Sequence, residues 1–162
     1  MAGKASFTTE EWVTLLKAPA MAGLAVVAAD PSGPFGAIKE SFATGKALAE
    51  VKMQGGANAL IDAIVAELST AEGREVAKPT ELLNLGGLEQ ALAHAVGVCQ
   101  SAAQIVSAKA PDEADAFKQW LFSISQRVAE ASKEGGFLGF GGTLVSEQEQ
   151  AALSSISGAL GL

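Results

Sequence analysis

The stretch from Leu88 to Val106, LEQALAHAVGVCQSAAQIV, decides the fold class. At the 100° per residue of an α-helix, six of its residues fall within one narrow arc: Leu88, Leu92, Ala95, Cys99, Ala102 and Val106. Most of the residues outside this arc are small or polar. The pattern predicts a long helix that buries one face against other elements of the same chain.

The chain that follows repeats this pattern twice. Ala110-Pro111 begins a second helix, because proline suits the first helical position. Its apolar stripe comprises Phe117, Trp120, Leu121, Ile124, Val128 and Ala131. Ser146 with Glu149 forms a capping box, in which each side chain bonds the backbone N–H of the other residue. This box predicts the start of a last helix that buries Leu153, Ile156 and Leu160.

The chain that precedes the stretch is helical in pattern as well. Thr8 and Glu11 form another capping box, and Phe7 and Trp12 occupy the positions of a hydrophobic staple. Pro19 is expected to end or kink this first helix, and Ala20 to Ala29 form a second, buried one. Further helices are predicted from Pro34 onwards and around Leu60 to Leu68. Residues 70–87 are read as an irregular crossover with about one helical turn.

No segment shows the period-two alternation of a strand. We therefore predict an all-α fold, a bundle of six or seven mostly antiparallel helices, with residues 1–162 forming a single domain.

Composition limits the classes of partner. Apolar residues make up 49% of the chain and charged residues 18%, and the formal net charge is −7. The few basic residues form no cluster, so we expect no nucleic-acid binding. The most apolar run, Ala18 to Ala29, is shorter than the roughly 20 residues of a membrane span, so we expect none. A lone cysteine and a start without a signal-peptide pattern favour the cytoplasm.

The sequence contains no complete catalytic or metal-binding motif. Gly136 to Thr143 approaches a phosphate-binding loop, but Gly142 stands where its lysine should be, and the segment follows a helix. His94 is the only histidine and lies more than 100° from Cys99 around the predicted helix, so the two form no dyad. Neither Glu-x-x-His pairs nor calcium-loop patterns occur. The prediction leans against an enzyme, and no metal or cofactor is expected.

A glycine-rich stretch, KEGGFLGFGG at residues 133–142, interrupts two predicted helices. A glycine can end a helix in the left-handed conformation, which makes a structural turn the first interpretation. The second is a binding surface, because Phe137 and Phe140 flank the open backbone of Gly139. Glu40, in a mostly apolar segment, is a further candidate for a site.

Two functions remain open on this basis. The first is non-enzymatic: an acidic protein that binds copies of itself or another protein through small-residue helix faces. The alternative is a binder of a small apolar molecule in a cavity between helices, lined by Trp12, Phe35, Phe137 and Phe140. An enzyme that uses Glu40 or His94 is a third class.

Overall fold

The helices of the protein are given by a computed structural model, which describes residues 2–29, 45, 58–131 and 145–162. It contains α1 (Thr9–Ala29), α2 (Ala59–Leu68), α3 (Ala71–Val76), α4 (Leu88–Lys109), α5 (Pro111–Ala131) and α6 (Glu147–Leu160). Lys4–Ser6 and Thr80–Asn84 are short 3-10 helices. None of the described residues lies in a strand, and the predicted all-α bundle is confirmed.

Four helices build the core. Each of α1, α4, α5 and α6 contacts the other three, while α2 and α3 pack against each other and against α1. The largest fully buried side chains come from all four core helices and from α2: among them are Leu15, Leu60, Val106, Phe117 and Ile156. Alanines fill much of the remaining interior, so the helices approach closely.

Contacts between side chains give the directions of the core helices. Lys109 at the end of α4 pairs with Glu11 at the start of α1, at 2.6 Å between Nζ and Oε2. Further along, the Cys99 thiol lies 3.9 Å from the carbonyl oxygen of Ala18. Helices α1 and α4 are therefore antiparallel. Only Ala110 separates α4 from α5, and Lys118 near the start of α5 lies beside Leu160 at the end of α6. Consecutive core helices thus alternate in direction.

The first helix differs from its prediction. Pro19 does not end it, because α1 runs without interruption from Thr9 to Ala29, and the expected second helix is its C-terminal half. Proline removes one backbone hydrogen bond and crowds the preceding turn. Here Pro19 is buried, with Ala18, Met21 and Ala22 around it also in the core. Burial on several sides outweighs the local cost, and the sequence alone does not show how many sides are covered.

The two capping boxes are present as predicted. The Glu11 amide donates to Thr8 Oγ1 at 3.2 Å, and the Thr8 amide donates to Glu11 Oε2 at 2.7 Å. The rings of Phe7 and Trp12 lie 5.9 Å apart between centroids and close the staple. At α6, Ser146 and Glu149 form the same reciprocal pair.

The crossover at residues 70–87 is more regular than predicted. It contains α3 and the 3-10 helix Thr80–Asn84 rather than one turn. Thr70 caps α3 by accepting a bond from the Gly73 amide at 2.9 Å. Gly73 is buried where α3 touches the end of α2. The helix predicted after Pro34 lies outside the described residues.

Candidate interaction surface

One side of the bundle carries no charged side chain over a long distance. From Gln90 to Ala108, α4 contains no Asp, Glu, Lys or Arg. The buried face of the helix is formed by Ala95, Cys99, Ala102, Ala103 and Val106. The opposite face consists of Ala93, Gly97, Ser101, Gln104 and Ala108, which recur at helical spacing and are exposed or partly exposed.

Helix α6 extends this uncharged region. Residues 150–162 also lack charged side chains, and the solvent side of α6 presents Ala151, Ser154, Ser155 and Gly158. We refer to the exposed residues of α4 from 90 to 108 and of α6 from 150 to 159 as the α4–α6 face. Its side chains are small or of the amide and hydroxyl type.

The two helices meet in a shallow groove of about 490 Å³. Its α4 wall includes Gln100, Gln104 and Ser107, and its α6 wall includes Gly158 and Ala159. Lys118 of α5 also lines the groove and is the only charged residue among its described lining residues. Residues 158–161, at the C-terminal end of α6, line the groove together with the C-terminal half of α4. Residues along the whole of α6 are buried. The C-terminal ends of the two helices therefore lie together, and α4 and α6 run in the same direction.

Two glycines on this face have open space in front of them. A Cβ atom built on Gly97 or on Gly158 meets no atom within 4 Å. Neither glycine is therefore required by contacts within the described part of the chain. What a glycine provides at such a position is close access to the helix backbone from outside.

A cluster of ionisable groups lies elsewhere, where the crossover meets α1 and α4. Lys17 Nζ donates to both carboxylate oxygens of Glu81, at 2.9 and 3.0 Å, and His94 Nε2 lies 3.5 Å from Glu81 Oε1. Burial acts to raise the pKa of Glu81, but hydrogen bonds from its own backbone N–H and from Lys17 and His94 lower it overall. These contacts hold the 3-10 helix Thr80–Asn84 against α1 and α4, and this structural role accounts for the arrangement of the cluster.

Cys99 takes no part in such chemistry. Its thiol is fully buried, and this burial raises its pKa to about 12. Since the thiolate is the reactive species, Cys99 is an inert core residue under ordinary conditions.

Of the residues predicted to form a binding site, the structure describes only Trp12. The indole of Trp12 is 3% exposed, and its Nε1–H donates to Glu67 Oε2 at 3.0 Å. Trp12 is thus a core residue with a satisfied polar atom. Phe35, Glu40, Phe137, Gly139 and Phe140, and with them the glycine-rich stretch 133–142, lie outside the described residues.

Within the described ranges no three His, Cys, Asp or Glu side chains lie close enough together to hold a metal ion. Helices α1 and α4 are long and apolar enough to cross a membrane by length and composition. In the fold, 61% of the 18-residue apolar stretch of α1 is buried, but only 28% of the corresponding stretch of α4 is buried. The unburied part of α4 is the α4–α6 face.

Comparison with protein-family models, with curated proteins and with solved structures gives no match for this chain. Its function is therefore argued from its own surface. Sequence reasoning missed the α4–α6 face, although the uncharged runs 90–108 and 150–162 are its signal, because nothing in the sequence places these two runs side by side.

Proposed function

We propose that the protein is a non-enzymatic, self-associating helical protein of the cytoplasm, and that its copies bind each other through the α4–α6 face. The observation that supports this proposal is the segregation of charge. Charged residues occupy α1, α2, α3, α5 and the crossover, whereas the exposed sides of α4 and α6 have none between residues 90 and 108 or beyond residue 149.

The physical reason is the cost of desolvation. Removing a charged side chain from water costs several kcal/mol unless it gains a partner, and charged residues are accordingly depleted at the centres of protein interfaces. Amide and hydroxyl groups can instead exchange water for hydrogen bonds across the contact. The same groups make the face a poor match for lipid, where each would need a partner.

The size of the face suits a dimer. At 1.5 Å per residue the α4 part of the face, residues 90–108, is about 28 Å long and the α6 part, residues 150–159, is about 15 Å long. Two adjacent helices whose axes lie about 9 Å apart present a strip roughly 20 Å wide. Such a strip is of the same order as the ~800 Å² that each partner buries in a standard interface. Small residues at Ala93, Gly97 and Gly158 would let the partner approach closely.

Sedimentation equilibrium and native mass spectrometry test the proposal. We expect a multiple of the chain mass at micromolar concentration, and a shift to monomer in Gly97→Glu, which places a charge at the centre of the face. Gly97 has open space beside it, so the folded monomer accommodates the change. Ala116→Glu, an exposed position on α5, is the matched control and should associate like the wild type.

Two results would overturn the proposal in different ways. A wild-type monomer at high micromolar concentration excludes self-association. An oligomer that Gly97→Glu leaves unchanged, with the helical circular dichroism signal intact, places the interface elsewhere.

One observation favours the second candidate, a binder of a small apolar molecule. The Nε1–H of Trp120 on α5 is buried and has no hydrogen-bond partner among the described residues, whereas buried indole N–H groups usually have one. A ligand with a carbonyl or carboxylate oxygen could supply it. The same native mass spectra decide, because a retained ligand adds a constant mass to every subunit.

A further inference from the structure

The two halves of the α4–α6 face carry opposite charges. Glu89 lies in the first turn of α4 and is exposed. At 100° per residue it shares a side of the helix with Gln100 and Ser107, which line the groove. Lys118 of α5 lines the groove together with residues 100–108 of α4. Ser125 of α5 bonds Ala22 of α1, and Cys99 of α4 lies beside Ala18, so Lys118 is level with about residue 102 of α4, roughly 20 Å along the axis from Glu89.

Neither of these two charges has an ion-pair partner among the residues that the structure describes. Two basic residues of α4 and α1, in contrast, already have partners: Lys109 pairs with Glu11, and Lys17 pairs with Glu81. Within the described part of the chain, Glu89 and Lys118 thus remain available to pair with groups of a second subunit. The long, uncharged surface between them keeps them too far apart to pair within it.

We propose that two copies pack antiparallel about a two-fold axis, with Glu89 of each copy facing Lys118 of the other. This inference rests on the proposed self-association and gives its orientation. A two-fold interface uses the same patch on both subunits, so a contact between residues i and j occurs twice. A 180° rotation about this axis brings Glu89 of each copy against Lys118 of the other, and both ion pairs form together.

A parallel arrangement of the two copies places like charges opposite each other. It places Glu89 beside Glu89 and Lys118 beside Lys118, and it aligns the dipoles of α4 and α6 with those of their partners. Like charges opposed at the rim of an interface lower the association rate and affinity. Charge complementarity therefore selects the antiparallel dimer.

Charge reversal tests the orientation. Glu89→Lys and Lys118→Glu should each weaken dimerisation about tenfold or more, since each changes two contacts per dimer. The double variant restores both pairs with reversed polarity and should dimerise within a few-fold of the wild type. Gln126→Glu, exposed on α5, provides a control for net charge.

Cross-linking gives an independent readout. Cysteines are introduced singly at Ala93, Gly97, Ser101 and Ala108, in a chain whose own Cys99 is buried. In the antiparallel dimer only the position nearest the two-fold axis forms a disulfide with itself, and Ala93→Cys mixed with Ser101→Cys, which lie on either side of Gly97, forms a cross-linked heterodimer. In a parallel dimer all four positions cross-link to themselves.

The outcomes separate this inference from the proposed function. A wild-type dimer in which the double reversal fails to recover, or in which all four cysteines self-cross-link, overturns the antiparallel orientation and leaves self-association standing. A wild-type monomer overturns both. Recovery in the double variant together with self-cross-linking confined to the centre supports the proposed pairing.

Discussion

At the scale of single residues, the fold places very different demands on its glycines. A Cβ atom at Gly73 would lie 2.0 Å from the backbone oxygen of Glu67 and 2.6 Å from its carbonyl carbon. The neighbouring atoms belong to the backbone at the end of α2 and cannot move aside as a side chain would. Gly73 is therefore what allows α3 to approach α2 at this corner.

We expect Gly73→Ala to destabilise the protein by about 2 kcal/mol or more, the usual range for forced overpacking. The same change at Gly97, where a Cβ meets open space, should stabilise it by roughly 0.5–1 kcal/mol through helix propensity. Urea unfolding at a low protein concentration, at which association does not contribute, measures both. Equal effects at the two sites would contradict the close approach at Gly73.

A single carboxylate couples the first helix to the second. Glu67 accepts a bond from Lys4 Nζ at 2.7 Å and from the Trp12 indole at 3.0 Å. The bond from Lys4 is the main cause that lowers the pKa of Glu67 below its ordinary value of 4.5; burial opposes it, and the Trp12 bond adds to it.

A carboxyl group whose pKa is lowered by folding stabilises the native state at pH values above its unfolded pKa. This stabilisation is lost as the pH falls through the folded-state pKa. Glu67→Gln should therefore be less stable than the wild type at neutral pH and lose less stability on acidification. Chemical unfolding at a series of pH values measures this difference. Glu72→Gln, an exposed change on α3, should instead keep the acid sensitivity of the wild type.

At the scale of elements, the helix ends are defined by local capping hydrogen bonds that the sequence predicts. The Ser146 hydroxyl accepts from the Glu149 amide at 3.1 Å, and Glu149 Oε2 accepts from the Ser146 amide at 2.9 Å. These bonds satisfy two donors that the first turn of α6 would otherwise leave open. The C-terminal end is closed by Gly161 in the left-handed conformation, with φ of 73°.

We expect Ser146→Ala to lower the free energy of unfolding by about 1 kcal/mol, the typical cost of losing an N-cap. Ser154→Ala, on the exposed side of the same helix, is the control. Its hydroxyl only bonds back to the Gln150 carbonyl, and alanine is the better helix former, so stability should stay level or rise. Thermal unfolding of the two variants compares them directly; a loss at Ser154 as large as that at Ser146 would contradict the role of the cap.

Element boundaries were predictable where such local bonds operate and not where packing decides. Both capping boxes and the proline at the start of α5 were read correctly from the sequence. Pro19 was expected to end or kink the first helix, and it does not end it, because its effect depends on the burial that α1 receives from α4, α5 and α6. The crossover was underestimated for a related reason, since Glu81 is held there by Lys17, a residue distant in sequence.

At the scale of the whole molecule, the bundle converts two separate stretches of uncharged sequence into one surface. Helices α4 and α6 are adjacent and run in the same direction, with α5 antiparallel to both. Glu89 and Lys118 then lie in opposite halves of this surface. The proposed self-association and its proposed orientation both rest on this arrangement.

The sequence by itself determined the helical class, the positions of the capped helix ends and most of the buried faces of α4, α5 and α6. These depend on periodicity and on bonds between residues three or four apart, which any helix must obey. Leu88, predicted for the buried stripe of α4, is instead 51% exposed because it lies at the first position of the helix. Only the tertiary structure decided that α1 continues through Pro19, that Gly73 must be glycine and that α4 and α6 form a common face. Each of these depends on atoms brought together from distant parts of the chain, and the energy of such contacts leaves no local signature in the sequence.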